Sequence, residues 1–159
     1  MESSLSKKAT IVQEALKLRG FDFQVLELAA STRTAKDAAQ ALSCEVAQIV
    51  KSLVFRRKTA QKPFLLLVSG TNRVNERVVA AVVGDDIEKP DAEYVSELTG
   101  FPIGGVPPLA HKQSLETFID KDLLRYEILW AAAGTPHAVF QFRSYDLQAM
   151  TDGVIIQVT

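Results

Sequence analysis

The chain has 159 residues, 47% of them apolar, and its basic and acidic residues nearly cancel to leave a formal net charge of −1. That length suits one domain, 1–159, on a scale of roughly 100–200 residues per domain, and the apolar share excludes a disordered chain. The charge balance excludes a diffuse electrostatic grip on nucleic acid such as DNA, so any RNA contact must come from a local basic patch and a shaped pocket. The single cysteine, Cys44, excludes an internal disulfide. No run approaches the ~18 apolar residues of a membrane span, and the N-terminus carries no apolar core of signal-peptide type, so a cytoplasmic protein without a membrane partner is expected.

In chain order, Ala9, Val12, Leu16 and Leu18 mark one face of a first helix, opened near Ser6 and closed by Gly20. Phe23–Leu28 reads as a short strand. Thr34, with Asp37 three residues on, predicts a capped helix through Leu42. A helical turn over Val46–Val50 leads into the strand KSLVFRR, and a short polar link joins it to the apolar strand PFLLLVS at Pro63–Ser69 as a hairpin. Helices follow at Asn75–Val83 and Ala92–Thr99, stopped by Gly84 and Gly100. Gly100–Ser114 is irregular, and loops of that length in compact domains are usually functional or disordered. Strands at Leu115–Ile119, Glu127–Ala132 and Val139–Phe142, a helix at Ser144–Met150 and a strand at Val154–Val158 complete the chain. Without a strict alternation of strand and helix, the pattern points to a mixed or antiparallel sheet with helices around it.

Several chemistries lack their parts. No Walker loop or GxGxxG is present, so a nucleotide cofactor has no cradle. His111, His137 and one cysteine barely supply a zinc set, and no metal or cofactor is expected. No GxSxG elbow is present. An enzyme of this sequence would position a substrate and a water.

Four segments can do that. Lys51 sits between the apolar pairs around Ile49 and Leu53, where its ammonium either snorkels to solvent or points into a pocket. Ser69, Gly70, Thr71 and Asn72 end the apolar strand, either as polar ligand-reading groups or as an ordinary turn. Gly104, Gly105 and Val106, stiffened by Pro107 and Pro108, suit a wall of backbone N–H donors for an oxyanion, or a tight crossover. Gly134, Thr135 and His137 form either the opposite rim or a plain loop. Arg56, Arg57, Arg73 and Arg77 can rim a phosphate site, whereas Lys58 reads as a solvated hairpin tip.

The ordered set TAKDAAQALSCEVAQIVKSLVF, LLLVSGTNRVN, GFPIGGVPPLAH and AAAGTPHAVFQF, ahead of Asp146-Leu147, resembles the YbaK family of aminoacyl-tRNA deacylases, related to the editing domain of bacterial prolyl-tRNA synthetases. The resemblance implies a mixed α/β fold with a mostly antiparallel, barrel-like sheet and flanking helices. It implies hydrolysis of the ester between a wrong amino acid and the 3′ end of a mischarged tRNA, often tRNA(Pro), with a synthetase as a further partner. It makes Lys51 the hallmark residue and GGVPP the backbone wall, with SGTN and GTPH lining the pocket. Pro107 stands where the cysteine-directed branch carries serine, which points away from cysteine as the amino acid removed.

Overall fold

The computed structural model describes residues 5–159. The extreme N-terminus, where no targeting segment is expected, lies partly outside them. Helix α1 (Lys7–Leu18) is capped by Ser6, whose Oγ accepts the Ala9 N–H. It buries Ala9, Val12 and Leu16. Leu18 does not share that face: at about 100° per residue it lies about 200° from Leu16, and it is 89% exposed. Thr34 caps α2 (Ala35–Leu42) by accepting the Asp37 N–H. Asn75 caps α3 (Glu76–Val83) rather than belonging to it. Gly84 and Gly100 end α3 and α4 (Ala92–Thr99) in the left-handed conformation that glycine adopts without strain. The expected last helix divides into a 3-10 turn, Ser144–Asp146, and α5 (Leu147–Thr151). Among the described residues no helix is long and apolar enough to cross a membrane.

The strands are β1 (Val25–Glu27), β2 (Ile49–Arg57), β3 (Pro63–Ser69), β4 (Ile87–Glu88), β5 (Glu116–Asp120), β6 (Ile128–Ala132), β7 (Ala138–Arg143) and β8 (Val154–Ile156). They form one 8-stranded sheet in the order β1-β7-β6-β2-β3-β5-β8, with β4 paired to β2. The expected mostly antiparallel barrel is corrected here: the sheet is open and mixed. β2–β3, β6–β7, β1–β7 and β2–β4 are antiparallel, whereas β2–β6, β3–β5 and β5–β8 are parallel. Each parallel pair is joined by a long crossover that carries helices or turns, which parallel pairing requires. β4 has only two residues, and it leaves no apolar run to be read.

β3 explains the stacking. Leu65 and Leu67 enter a core with α1, α4 and α5, while Phe64, Leu66 and Val68 enter a second core with Val79 of α3. A strand covered on both faces reads as an unbroken apolar run. A third, smaller cluster seats Ala38 and Ala39 of α2 against Ile49, with Trp130 packed on it.

Beyond β3 the backbone passes close beneath the turn Val46–Gln48. A Cβ on Gly70 would lie 2.2 Å from the Val46 carbonyl oxygen, so this glycine is there for close approach. Gly70→Ala is expected to lower the unfolding free energy by about 1–3 kcal/mol, as overpacking does, measured by urea denaturation.

Candidate functional site

The two edges of β2 are used differently. Gly70 N–H donates to Ile49 O (2.8 Å) and Arg57 N–H to Lys62 O (2.9 Å). By the alternation of an antiparallel ladder, Ile49, Lys51, Leu53, Phe55 and Arg57 turn their backbone polar groups toward β3. Val50, Ser52, Val54 and Arg56 turn theirs to the other edge. There β6 pairs only at Ile49 and Val50, and β4 only at Arg56 and Arg57. Between these two ladders the sheet is split, and a cavity of about 370 Å³ opens at the split.

The walls are mostly apolar: Val50, Val54, Val95, Ile103, Val106 and Trp130. The cationic side chains on its lining are Lys51, Arg33 and Lys89. Lys51 is the third residue of β2, not its first. It is half-buried and donates from Nζ to the Asn72 carbonyl at 2.6 Å. Burial first, then the nearby positive charge of Lys89, push its ammonium pKa down, and Asp120 partly opposes them.

Asn72 is itself held. Its Nδ2 donates to Asp120 Oδ2 (2.8 Å) and to Asp122 Oδ2 (2.9 Å). Asp120 is 1% exposed and also accepts the Ser69 N–H at 3.0 Å and the Asp122 N–H at 2.9 Å. A buried carboxylate with several donors therefore fixes the loop whose carbonyl fixes Lys51. Sequence reasoning missed Asp120, because an aspartate that ends an apolar strand looks like any turn former.

The sequence-derived site residues are sorted by the structure into lining and support. Lys51, Gly104 and Val106 line the cavity. Gly105 lies against the Thr135 backbone, with its N–H donated to Pro102 O and its carbonyl accepting the Gly134 N–H. That leaves Gly104 and Val106 as the wall's uncommitted donors. Ser69 spends its hydroxyl on Ala47 O, and Gly70 packs against Val46. Neither they nor Thr71, Pro107, Gly134, Thr135 or His137 are on the lining. His137 is exposed and bonds Ala30 O, while Pro136 O accepts from the N–H and hydroxyl of Thr32. The Gly134–His137 loop thus anchors the segment that brings Thr32, Arg33 and Thr34 to the cavity.

Of the expected arginine rim, Arg56 and Arg57 are spent elsewhere, while Arg73 lies near enough to Lys51 for its charge to act on the ammonium. Arg56 pairs with Glu88 at 2.9 Å and lies over the Tyr94 ring. Arg57 pairs with Glu116 at 2.9 Å and lies over Phe64. Arg33 and Lys89 take their place at the cavity. Arg33 gives a signal in sequence only once Gly104 is known to pack on it, since a Cβ there would sit 2.6 Å from its Cγ.

Comparison with known proteins agrees with this architecture. The model of the aminoacyl-tRNA editing domain matches residues 29–150, and the chain belongs to that family. It is 26% identical over 123 residues to the uncharacterized protein YwhH of Bacillus subtilis (strain 168), covering 77% of this chain and 78% of that protein. It is 31% identical over 94 residues to the proline–tRNA ligase of Limosilactobacillus fermentum (strain NBRC 3956 / LMG 18251), covering 57% of this chain but 16% of that enzyme. A solved structure described as a proposed trans-editing enzyme for prolyl tRNA synthetase superposes with a TM-score of 0.92 at 48% identity, covering 98% of this chain and 99% of that one. The hypothetical protein APE2540 superposes with a TM-score of 0.87 at 30% identity, covering 93% of this chain and 98% of that one.

Two stability outcomes follow from the hydrogen bonding. Asp120→Ala strands buried donors, each costing about 1–3 kcal/mol, and is expected to lower the urea midpoint clearly. Ser52 Oγ is the one buried side-chain polar atom without a partner among the described residues. Ser52→Ala is therefore expected to change stability by less than about 1 kcal/mol, read on the same titration.

Proposed function

We propose that the chain is a trans-editing deacylase that hydrolyses the ester joining a small wrong amino acid to the 3′ end of tRNA(Pro) or a related tRNA. The observation that carries this reading is Lys51, half-buried in the wall of a small, mostly apolar cavity and tethered to Asn72 O. Family membership supports the ester and the tRNA. The structural neighbour's link to prolyl tRNA synthetase supports the tRNA(Pro) assignment and a synthetase as a partner. The lining of Val, Ile and Ala supports a small apolar side chain.

Lys51 anchors the substrate at the terminal phosphate or at the aminoacyl carbonyl. The Gly104 and Val106 N–H groups face the developing oxyanion, and an ordered water attacks, with the ribose hydroxyl as its base. No residue of the chain forms a covalent intermediate, and no metal or cofactor takes part. Removing one oxyanion-type donor typically costs ~100–1000-fold in rate. Lys51→Ala is expected to lose at least ~100-fold in deacylation with its urea midpoint unchanged.

The decisive measurement is ester loss from a panel of mischarged tRNAs. Binding of every member without hydrolysis of any would make the chain a non-catalytic tRNA- or synthetase-binding module instead. Hydrolysis of simple aminoacyl esters without dependence on tRNA would make it a small-molecule esterase.

The pH dependence follows from the sign of the Lys51 shift. The ammonium loses its proton earlier than an ordinary lysine as pH rises, and the charged form is the active one. The rate, corrected for spontaneous ester hydrolysis, is therefore expected to fall on the alkaline side through a pKa below the ordinary lysine value. Lys51→Arg stays charged throughout and is expected to lack that limb, at a lower plateau.

A further inference from the structure

The split in the sheet leaves a specific set of backbone groups unused. The ladder to β6 ends at Val50 and the ladder to β4 begins at Arg56. The N–H and C=O of Ser52 and of Val54 lie between them, on the edge that faces away from β3, with Ser52 C=O and Val54 N–H as the inner pair. The inner pair is the carbonyl of one residue and the N–H of the residue two further on. In a parallel ladder, these two groups bond one and the same residue of the neighbouring strand: the carbonyl accepts its N–H, and the N–H donates to its C=O. β6 runs parallel to β2, but its pairing with β2 stops at Val50–Ala131, and the strand then leaves through Gly134. Gly134 N–H is taken by Gly105 O at 2.9 Å, so β6 does not return to the vacant place. A second, independent pointer lies at the same spot: Ser52, on the cavity lining, carries the unpartnered buried hydroxyl.

We propose that this vacant parallel-strand position binds the aminoacyl group itself. The inference rests on the deacylase reading and deepens it. The α-ammonium donates to Ser52 C=O, with Ser52 Oγ as a second acceptor, and the ester carbonyl accepts from Val54 N–H. The substrate's amino acid then occupies the place of one residue of a strand. Its side chain points to a face of the sheet, where Val50, Val54, Val95 and Val106 line the cavity. The ester oxygen continues toward the mouth, where Lys51, Arg33 and Lys89 offer positive charge to the terminal nucleotide's phosphate. The volume, about 370 Å³, suits an aminoacyl-nucleoside end rather than a multi-residue peptide strand. This docking fixes two requirements that pocket size alone does not impose: a free α-amine and the L configuration.

The experiment has a kinetic arm and a binding arm. In the first, the protein is incubated with L-alanyl-tRNA and with N-acetyl-L-alanyl-tRNA. Loss of a charged hydrogen-bonding group is worth at least ~10-fold, so the acetylated ester is expected to be cleaved at least ~10-fold more slowly. Equal rates overturn the proposal.

In the second arm, the hydrolysis-resistant amide 3′-(L-alanylamino)-3′-deoxyadenosine is titrated and backbone amide shifts are followed by NMR. The Val54 amide is expected to move downfield, and the N-acetyl and D-alanyl forms are expected to bind at least ~10-fold more weakly. A Val54 amide that does not move, or equal binding of the three compounds, overturns it. So does a short apolar peptide that moves Val54 where the nucleoside does not. If the amide binds in the expected pattern while no aminoacyl-tRNA loses its ester, the docking stands and the deacylase reading is what fails.

Discussion

Strand β2 gives its whole length to β3 on one edge and shares the other between two strands that never meet. The rest of the site depends on that division. β3, buried on both faces, holds β2 rigidly by a ladder from Val50–Ser69 to Arg56–Pro63. A rigid strand with a vacant stretch of edge is costly to bury, because each unmet backbone group loses a hydrogen bond to water. The fold keeps that stretch open to a cavity lined by Ser52 and Val54.

Positioning of the charges follows from the same strand pair. β3 ends at Ser69 and its exit loop curls back, so that Asn72 presents its carbonyl to Lys51 while its side chain holds Asp120. Asp120, at the end of β5 beside β3, is nearly fully buried, as is Ser69, whose N–H it accepts. The Asp120 carboxylate is met by N–H donors of Ser69, Asn72 and Asp122 instead of a direct salt bridge. Its field also offsets part of the penalty that burial imposes on the Lys51 ammonium. A nearly neutral chain thereby gathers cationic groups at one mouth without a general attraction for polyanions. That arrangement suits recognition of one RNA terminus better than a grip along a helix.

How far this was legible in the sequence depended on whether the cause was local. The Thr34 cap, the glycine stops at Gly84 and Gly100, and the hairpin of β2 with β3 are set by residues within a few positions of each other, and they stand where they were expected. The unbroken run at Phe64–Val68 betrayed a doubly covered strand. The parallel pairings were hidden, since a strand's local pattern says nothing of its partner's direction, and the barrel expectation failed for that reason. Lys51 and the Gly104–Val106 wall were legible because family resemblance marks them and the fold does bring them together. Ser69 and Gly134–His137 carry the same family pattern, but their groups are spent on Ala47 O, Gly105 O and Ala30 O. A motif shared along a chain does not separate the residues that touch a ligand from those that hold the ones that do.

That distinction changes what the glycine loop can contribute. Gly105 N–H closes a turn on Pro102 O within the loop and its carbonyl accepts the Gly134 N–H, so the glycine loop is tied to the Gly134–His137 loop. It offers fewer free donors than two successive glycines suggest, but it offers them in fixed positions. Preorganised donors stabilise developing charge without the cost of reorienting at the moment of reaction, so rigidity here compensates for number. Gly104 is the point where the loop meets Arg33, with no room for a Cβ. Any larger residue at 104 would push the loop and Arg33 apart. Glycine is required there twice over, because the backbone takes φ +89°, which L side chains rarely adopt, and because no Cβ fits.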